Sequence, residues 1–318
     1  MRPEVTRSSP SAALDLWLRE NLNRGCSPGQ LLQSLLDAGY GPEFARALVH
    51  RTGPGPEVFP HDPHTHQNRL KPEDPHAPEG LHNPNDPHAG HAGHPSLQAW
   101  WSRIDALAGT RRLDLGDRVA RVAARQMDHG VVFVREVLAQ DECDAIVEQS
   151  APRIERSTVV DPVSGASVPD PRRTSHGTFF EAGANPLIGA VEARLARLSG
   201  LPRAHGEGLQ ILHYTLDGEY QPHFDYFDPT VSGSTRQLER GGQRFVTIIV
   251  YLNEVEGGGA TVFPELGLEF LPEKGAALMF ASLTREGRLQ PLSLHGGTPV
   301  TAGTKWIATR WIRLDPYV

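Results

Sequence analysis

Cysteine is almost missing from this chain: there are two in 318 residues, Cys26 and Cys143, set in regions of different character. That argues against a disulfide framework and fits a reducing compartment. Long apolar runs are missing too. None approaches the ~18–20 residues that span a bilayer, and the opening Met1-Arg2-Pro3-Glu4-Val5 has no apolar signal-peptide core. The expectation is a soluble, cytoplasmic protein with no membrane partner. Positive charge is in deficit, with 31 Lys and Arg against 38 Asp and Glu and a formal net charge of -7, so nucleic acid is not an expected partner. The Gly-x-Ser-x-Gly spacing occurs once, as Gly25-Cys26-Ser27-Pro28-Gly29, between two helical patterns and without the preceding strand of a nucleophile elbow, so Ser–His–Asp hydrolysis has no support.

What is present falls into three stretches, 1–52, 53–95 and 96–318. In the first, Leu14, Trp17, Leu18 and Leu22, then Leu31, Leu32, Leu35 and Leu36, recur at helical spacing. Ser27-Pro28-Gly29-Gln30 reads as a capping box, and a third short helix is expected from Pro42 to His50. So small a helical module is marginal alone. It is read as an appendage that docks on the main domain or as a module that binds a protein.

Residues 53–95 hold ten prolines and eight histidines and few large apolar side chains. Such a composition cannot offset its ordering entropy, and the stretch reads as a disordered linker. Asp-Pro-His recurs at 62–64, 74–76 and 86–88, and His88, His91 and His94 fall on one face of a polyproline II helix. Metal sequestration by this tract is one reading and a plain spacer the other.

From Ser96 the chain reads as mixed α+β. Helical patterns around Trp100, after Asp141 and from Leu187 to Leu198 precede a change of period towards two. Strands are expected at 130–134, 209–214, 245–252, 268–271, 277–280 and 306–312, giving an antiparallel double sheet of jelly-roll type, with the helices before the sheet.

His223-Phe224-Asp225, a distant His295 and then Lys305 are the residues that carry chemistry. Two imidazoles and one carboxylate form the ligand set of a non-haem Fe(II) site with open positions. On a strand His223 and Asp225 share one face, and a barrel brings His295 beside them from the end of a later strand. Lys305, ten residues past His295, is a cation able to hold a dicarboxylate against that metal, and in a strand beside Trp306 and Ile307 it is costly to bury without an anion.

The context of these residues is a family pattern. Tyr214-Thr215-Leu216-Asp217-Gly218-Glu219-Tyr220-Gln221-Pro222-His223-Phe224-Asp225, Gly241-Gly242-Gln243-Arg244-Phe245-Val246-Thr247, Tyr251-Leu252-Asn253, Gly258-Gly259-Ala260-Thr261-Val262-Phe263-Pro264, His295-Gly296-Gly297-Thr298-Pro299-Val300 and Lys305-Trp306 closely resemble the prolyl 4-hydroxylase family of 2-oxoglutarate- and Fe(II)-dependent dioxygenases, in particular its bacterial members. The match runs from about Arg118 to Arg313.

The resemblance implies a double-stranded β-helix core and a defined set of roles. His223, Asp225 and His295 would hold Fe(II), and Lys305 would pair with the distal carboxylate of 2-oxoglutarate. Tyr214, Tyr251 and Thr247 would line the co-substrate, and Arg173, Glu207 and Arg244 would lie near the substrate. The implied reaction consumes O2 and 2-oxoglutarate, yields succinate and CO2, and hydroxylates a prolyl residue of a protein or peptide, with ascorbate as reductant. Pro169 to Ser175 and Asp228 to Gly242 are the expected mobile substrate loops. Collagen-type members commonly carry a histidine where this chain has Arg313, which removes the basis for collagen-like recognition. The same chemistry on another side chain, a free amino acid or a small metabolite fits these residues as well. A catalytically silent metal-binding scaffold is the contrasting class.

Overall fold

The computed structural model describes residues 91–161 and 164–318, together with Leu14, Trp17, Leu18, Asn21, Leu31, Leu32, Ser34, Leu35, Tyr40, Ala45, Leu48 and Val49. Two compact units are present, Met1–Pro84 and Asn85–Val318. In the first, Leu14, Leu18, Leu31, Leu35, Tyr40, Ala45, Leu48 and Val49 are buried together. All of these except Tyr40 are helical, as their spacing requires. Cys26, the expected capping box at Ser27–Gln30 and residues 53–90 lie outside the described residues.

The second unit begins with α1 (Pro95–Ala106), β1 (Arg112–Asp114), β2 (Val119–Gln126) and β3 (Val131–Arg135). After α2 (Gln140–Ser150) come the short strands β4 (Glu155–Arg156), β5 (Thr158–Val160), β6 (Ser167–Pro169) and β7 (His176–Phe180), then α3 (Pro186–Ser199). β8 (Leu209–Tyr214), β9 (Tyr220–His223), α4 (Thr235–Glu239) and β10 (Arg244–Tyr251) follow. The remaining strands are β11 (Gly257–Gly258), β12 (Thr261–Phe263), β13 (Leu268–Phe270), β14 (Ala277–Ala281), β15 (His295–Gly297), β16 (Val300–Ala302) and β17 (Lys305–Arg313).

The main sheet has nine strands in the order β1-β2-β3-β14-β10-β17-β8-β7-β4, and a second sheet has the order β13-β12-β15-β9. The pairings in both are antiparallel, as the expected mixed α+β jelly roll demands. One expectation is corrected. The helices do not precede the sheet, because β1–β3 come before α2 and β4–β7 separate α2 from α3. β3 is the strand expected at 130–134 and is buried; β1, β2, β4 and β5 are short or largely exposed, so their sequences carry no apolar alternation to mark them.

Alternation along β10 builds the two cores. Ile248 and Val250 pack with Trp100, Ile104, Ile188 and Leu195 under the helices. Ile249 and Tyr251 point the other way, to Phe263, Phe280 and Leu278 between the sheets. Each such side chain contributes roughly 1.5–3 kcal/mol when fully buried, so the site is set between two stiff layers.

α1 begins where proline permits, with Pro95 in its first turn and His94 as cap, its Nδ1 accepting from Ser96 N–H at 3.2 Å. The other ring nitrogen of His94 lies 3.3 Å from Asp315, and His91 N–H donates to the Gly287 carbonyl at 2.9 Å. The last two histidines of the tract are therefore engaged with this unit, and residues 91–94 do not behave as the free linker end that composition implied.

Beneath β17, Glu192 is fully buried and accepts from Arg310 at 2.6 Å and from Arg203 Nε at 2.8 Å. Removing one member of a buried charge group strands the others. Glu192→Ala is expected to lower stability by about 3–5 kcal/mol, read from the shift in the urea unfolding midpoint.

Candidate active site

β9 and β15 run antiparallel with His223 directly opposite His295. Gly296 allows that approach: a Cβ there would lie 3.0 Å from the Tyr220 carbonyl oxygen. Each imidazole is oriented by its own strand, His223 Nδ1 lying 2.9 Å from the Gln221 carbonyl and His295 Nδ1 2.9 Å from the Ser293 carbonyl. A carbonyl only accepts, so both Nδ1 atoms carry the proton and both Nε2 atoms present a lone pair. Asp225 completes the group, with His223 Nε2 3.6 Å from Oδ1 and His295 Nε2 3.6 Å from Oδ2. The donor atoms lie within 4.8 Å of one another, too far apart for hydrogen bonds but facing one common point.

Asp225 is not on β9 as the alternation argument expects; it sits in a bend two residues beyond the strand end. Its carboxylate is aimed instead by Thr247 on β10, whose Oγ1 donates to Oδ2 at 2.6 Å. Similarly, His295 stands at the start of β15 rather than at the end of a strand. Burial alone would raise the Asp225 carboxyl, but His295, His223 and Arg244 outweigh it and hold it below the usual carboxylate range. Burial pushes His295 down to about 4 despite the pull of Asp225, so its Nε2 is an unprotonated donor at neutral pH. Thr247→Val removes the hydrogen bond that aims the carboxylate. It is expected to weaken metal affinity about 10–100-fold, measured by competition with a chelator.

Lys305 opens β17 opposite Tyr214 of β8. It is only 3% exposed, and no carboxylate among the described residues pairs with it. Burial pushes its ammonium down to about 8. Beyond it, every second residue of the strand lines the same cleft: Ile307, Thr309 and Trp311. Tyr214, Thr247 and Arg173 line it as well. Tyr251 does not; its hydroxyl donates to Thr261 Oγ1 at 2.8 Å, and Thr261 is the residue that reaches the cleft.

Of the three residues expected near substrate, Arg173 is buried in the cleft wall on neutral partners: Thr158 O at 2.9 Å, Gln210 Oε1 at 2.9 Å and Ser175 Oγ at 3.3 Å. Glu207 and Arg244 sit behind Trp311. Arg244 stacks 3.8 Å from the indole centroid and donates to Glu207 Oε2 at 2.8 Å. Pro169 to Ser175 is not the free loop expected. Gln221 N–H donates to Arg172 O and Thr174 N–H to Glu219 O, so the stretch is tied alongside β9. The second expected loop contains α4.

Comparison with known proteins bears directly on this geometry. The sequence model of the 2OG-Fe(II) oxygenase superfamily matches residues 209–313, which contain all three donors and Lys305. Probable prolyl 4-hydroxylase 10 of Arabidopsis thaliana is 41% identical over 199 residues, covering 57% of this chain and 67% of the relative. Prolyl 4-hydroxylase 5 of the same plant is 36% identical over 205 residues, covering 58% and 69%. The chain belongs to the prolyl 4-hydroxylase family of 2OG-Fe(II) oxygenases. Among solved structures, the viral collagen prolyl hydroxylase of Paramecium Bursaria Chlorella virus-1 in its 2OG complex is similar at 26% identity and a TM-score of 0.45, covering 57% of this chain and 95% of that one.

As a member of this family the chain is a 2-oxoglutarate-dependent dioxygenase, and its donor set fits Fe(II): two imidazoles and one carboxylate that together line a cleft. The buried, acid-free Lys305 fits a dicarboxylate co-substrate in the same way. Among the residues that sequence reasoning passed over are Tyr220, whose ring stacks on His223 with centroids 3.6 Å apart, and the Thr309 and Trp311 pair. Counting in steps of two from Lys305 along β17 finds the latter; nothing local marks Tyr220.

Proposed function

We propose that the chain hydroxylates a prolyl residue in a protein or peptide, with succinate and CO2 as co-products. Lys305 carries this reading, as a cation buried at the inner end of a cleft whose only carboxylate, Asp225, faces two imidazoles. His223, Asp225 and His295 would hold Fe(II), which would supply the redox chemistry coupling oxidative decarboxylation of 2-oxoglutarate by O2 to insertion of one oxygen atom into a C–H bond. The chain's own residues bind and orient. Lys305 takes the distal carboxylate, Thr247 fixes the angle of Asp225, and Leu212, Ile249 and Ile307 keep the inner cleft apolar. Trp311 and Arg173 stand at the part of the cleft left for the target residue.

Proline as the target is supported by the two Arabidopsis relatives, a probable prolyl 4-hydroxylase at 41% identity and a prolyl 4-hydroxylase at 36%. Ascorbate as external reductant, a cytoplasmic location and protein recognition by residues 1–52 belong to the same reading, as does the division into that module, the His- and Pro-rich tract 53–95 and the oxygenase domain 96–318. The test is incubation of the full chain with Fe(II), 2-oxoglutarate, ascorbate and a library of proline-containing peptides. A gain of one oxygen atom, mapped to proline by fragmentation, is the expected result. Succinate formation with oxygen gained only on other residues would move the target elsewhere.

A further inference from the structure

A second cleft carries a charge that the chain as a whole lacks. It is lined by Gly165 and Ala166 before β6 and Ser167 at its start, by Arg236 and Gln237 of α4 and Arg240 just past its end, and by Arg313 and Tyr317. Gly165 and the α4 segment touch: Gln237 Nε2 donates to Gly165 O at 3.4 Å, and a Cβ on Gly165 would lie 2.8 Å from Gly233 O. No acidic side chain lines this cleft, in a protein whose net charge is -7.

The two clefts are neighbours along one strand. Lys305, Ile307, Thr309 and Trp311 share the inner face of β17, and Arg313 is the next residue on that face. Arg313 donates to Glu207 Oε1 at 2.7 Å, and the same carboxylate holds Arg244, which stacks on Trp311. Glu207 thus offsets one of two guanidinium groups and leaves one positive charge. Arg240 is fixed by its Nε bond to an oxygen of the Val318 carboxylate at 2.9 Å and by the Tyr317 ring 3.9 Å away. Its outer nitrogens remain available, and exposed Arg236 has no ion-pair partner among the described residues. Arg313 is buried and its nitrogens are taken by Glu207 and by the Gln237 and Gly242 carbonyls, so Arg236 and the outer nitrogens of Arg240 are the planar donors left in this lining to suit a carboxylate.

The step from Trp311 to Arg313 is one pleat repeat, about 7 Å, and an extended peptide advances about 3.3 Å per residue. We propose that this arginine cleft is a subsite for an acidic side chain of the substrate, an Asp or Glu about two to four residues from the hydroxylated proline. The inference rests on the prolyl-peptide reading above.

The test uses the full chain with Fe(II) and 2-oxoglutarate and two labelled synthetic peptides. Both have a single central proline. One carries Glu at the flanking positions about two to four residues away, and the other carries Gln there. Binding is followed by fluorescence anisotropy and oxygen gain by mass spectrometry. The Glu peptide should bind about two- to fivefold tighter, and the advantage should shrink at high salt. In an R236Q/R240Q double variant, checked for fold by circular dichroism, the two peptides should bind alike. Equal binding by the unaltered chain, or a preference that survives in the double variant, overturns the subsite. Oxygen gain on proline without a Glu preference overturns the subsite and leaves the prolyl reading standing. A Glu preference lost in the double variant, with no oxygen gained on proline, overturns the prolyl reading and leaves the subsite standing.

Discussion

His295→Ala is expected to abolish turnover, lowering succinate formation by about three orders of magnitude or more, because loss of the metal's contribution removes several kcal/mol of stabilisation. The geometry gives the reason. His295 Nε2 is held towards the common point by the Ser293 carbonyl behind it, and burial keeps that nitrogen unprotonated at neutral pH. Alanine leaves His223 and Asp225 facing a gap, with no third described donor to close it. The fold should survive, since β15 is held to β9 and β12 through its backbone. A variant with intact circular dichroism and no succinate is the expected outcome; near-normal succinate would remove His295 from the ligand set.

Lys305 is expected to trade stability for function. Its ammonium is buried without an acid, and burial brings it from the ordinary 10.5 down to about 8. The sign follows from linkage. Below pH 8 the folded chain bears the full cost of a desolvated charge, about 3–4 kcal/mol. Between 8 and 10.5 the unfolded chain binds more protons than the folded one, so stability rises with pH through that window. Lys305→Met should therefore raise the melting temperature of the ligand-free protein at neutral pH, while the 2-oxoglutarate requirement rises about thirtyfold or more from loss of a buried charge partner. In the unaltered chain, 2-oxoglutarate affinity should be constant below pH 8 and weaken above it, where binding must first supply a proton. Calorimetric titration across pH reads this. An affinity indifferent to both the substitution and the pH would take the lysine out of co-substrate binding.

Much of the site was legible in the sequence because strand alternation and turn chemistry act locally. Period two places strands at 245–252 and 306–312, which the structure shows as Arg244–Tyr251 and Lys305–Arg313, and the same period orders the cleft face of β17. What was not legible depends on contacts distant in sequence. Asp225 lies past the end of its strand, and Thr247, 22 residues away, aims it. Tyr251 shares the face of β10 that carries Thr247 and Ile249 into the cleft, but it lies past the cleft in the core with Phe133 and Phe263, its hydroxyl on Thr261. Arg173 reaches the site only because its segment bridges to Tyr220. The pairing of Glu207 with both Arg244 and Arg313 is visible only once β10 and β17 are side by side.

The most direct measurement is an anaerobic titration of the full chain with Fe(II) and then 2-oxoglutarate, following the weak visible charge-transfer absorption of the iron-bound keto acid. One band saturating at a single equivalent of iron is expected. It should be lost in His295→Ala and should need far more 2-oxoglutarate in Lys305→Met. A band that persists unchanged in His295→Ala, or no band in folded protein at saturating iron and 2-oxoglutarate, would contradict the assignment of His223, Asp225, His295 and Lys305 to one centre.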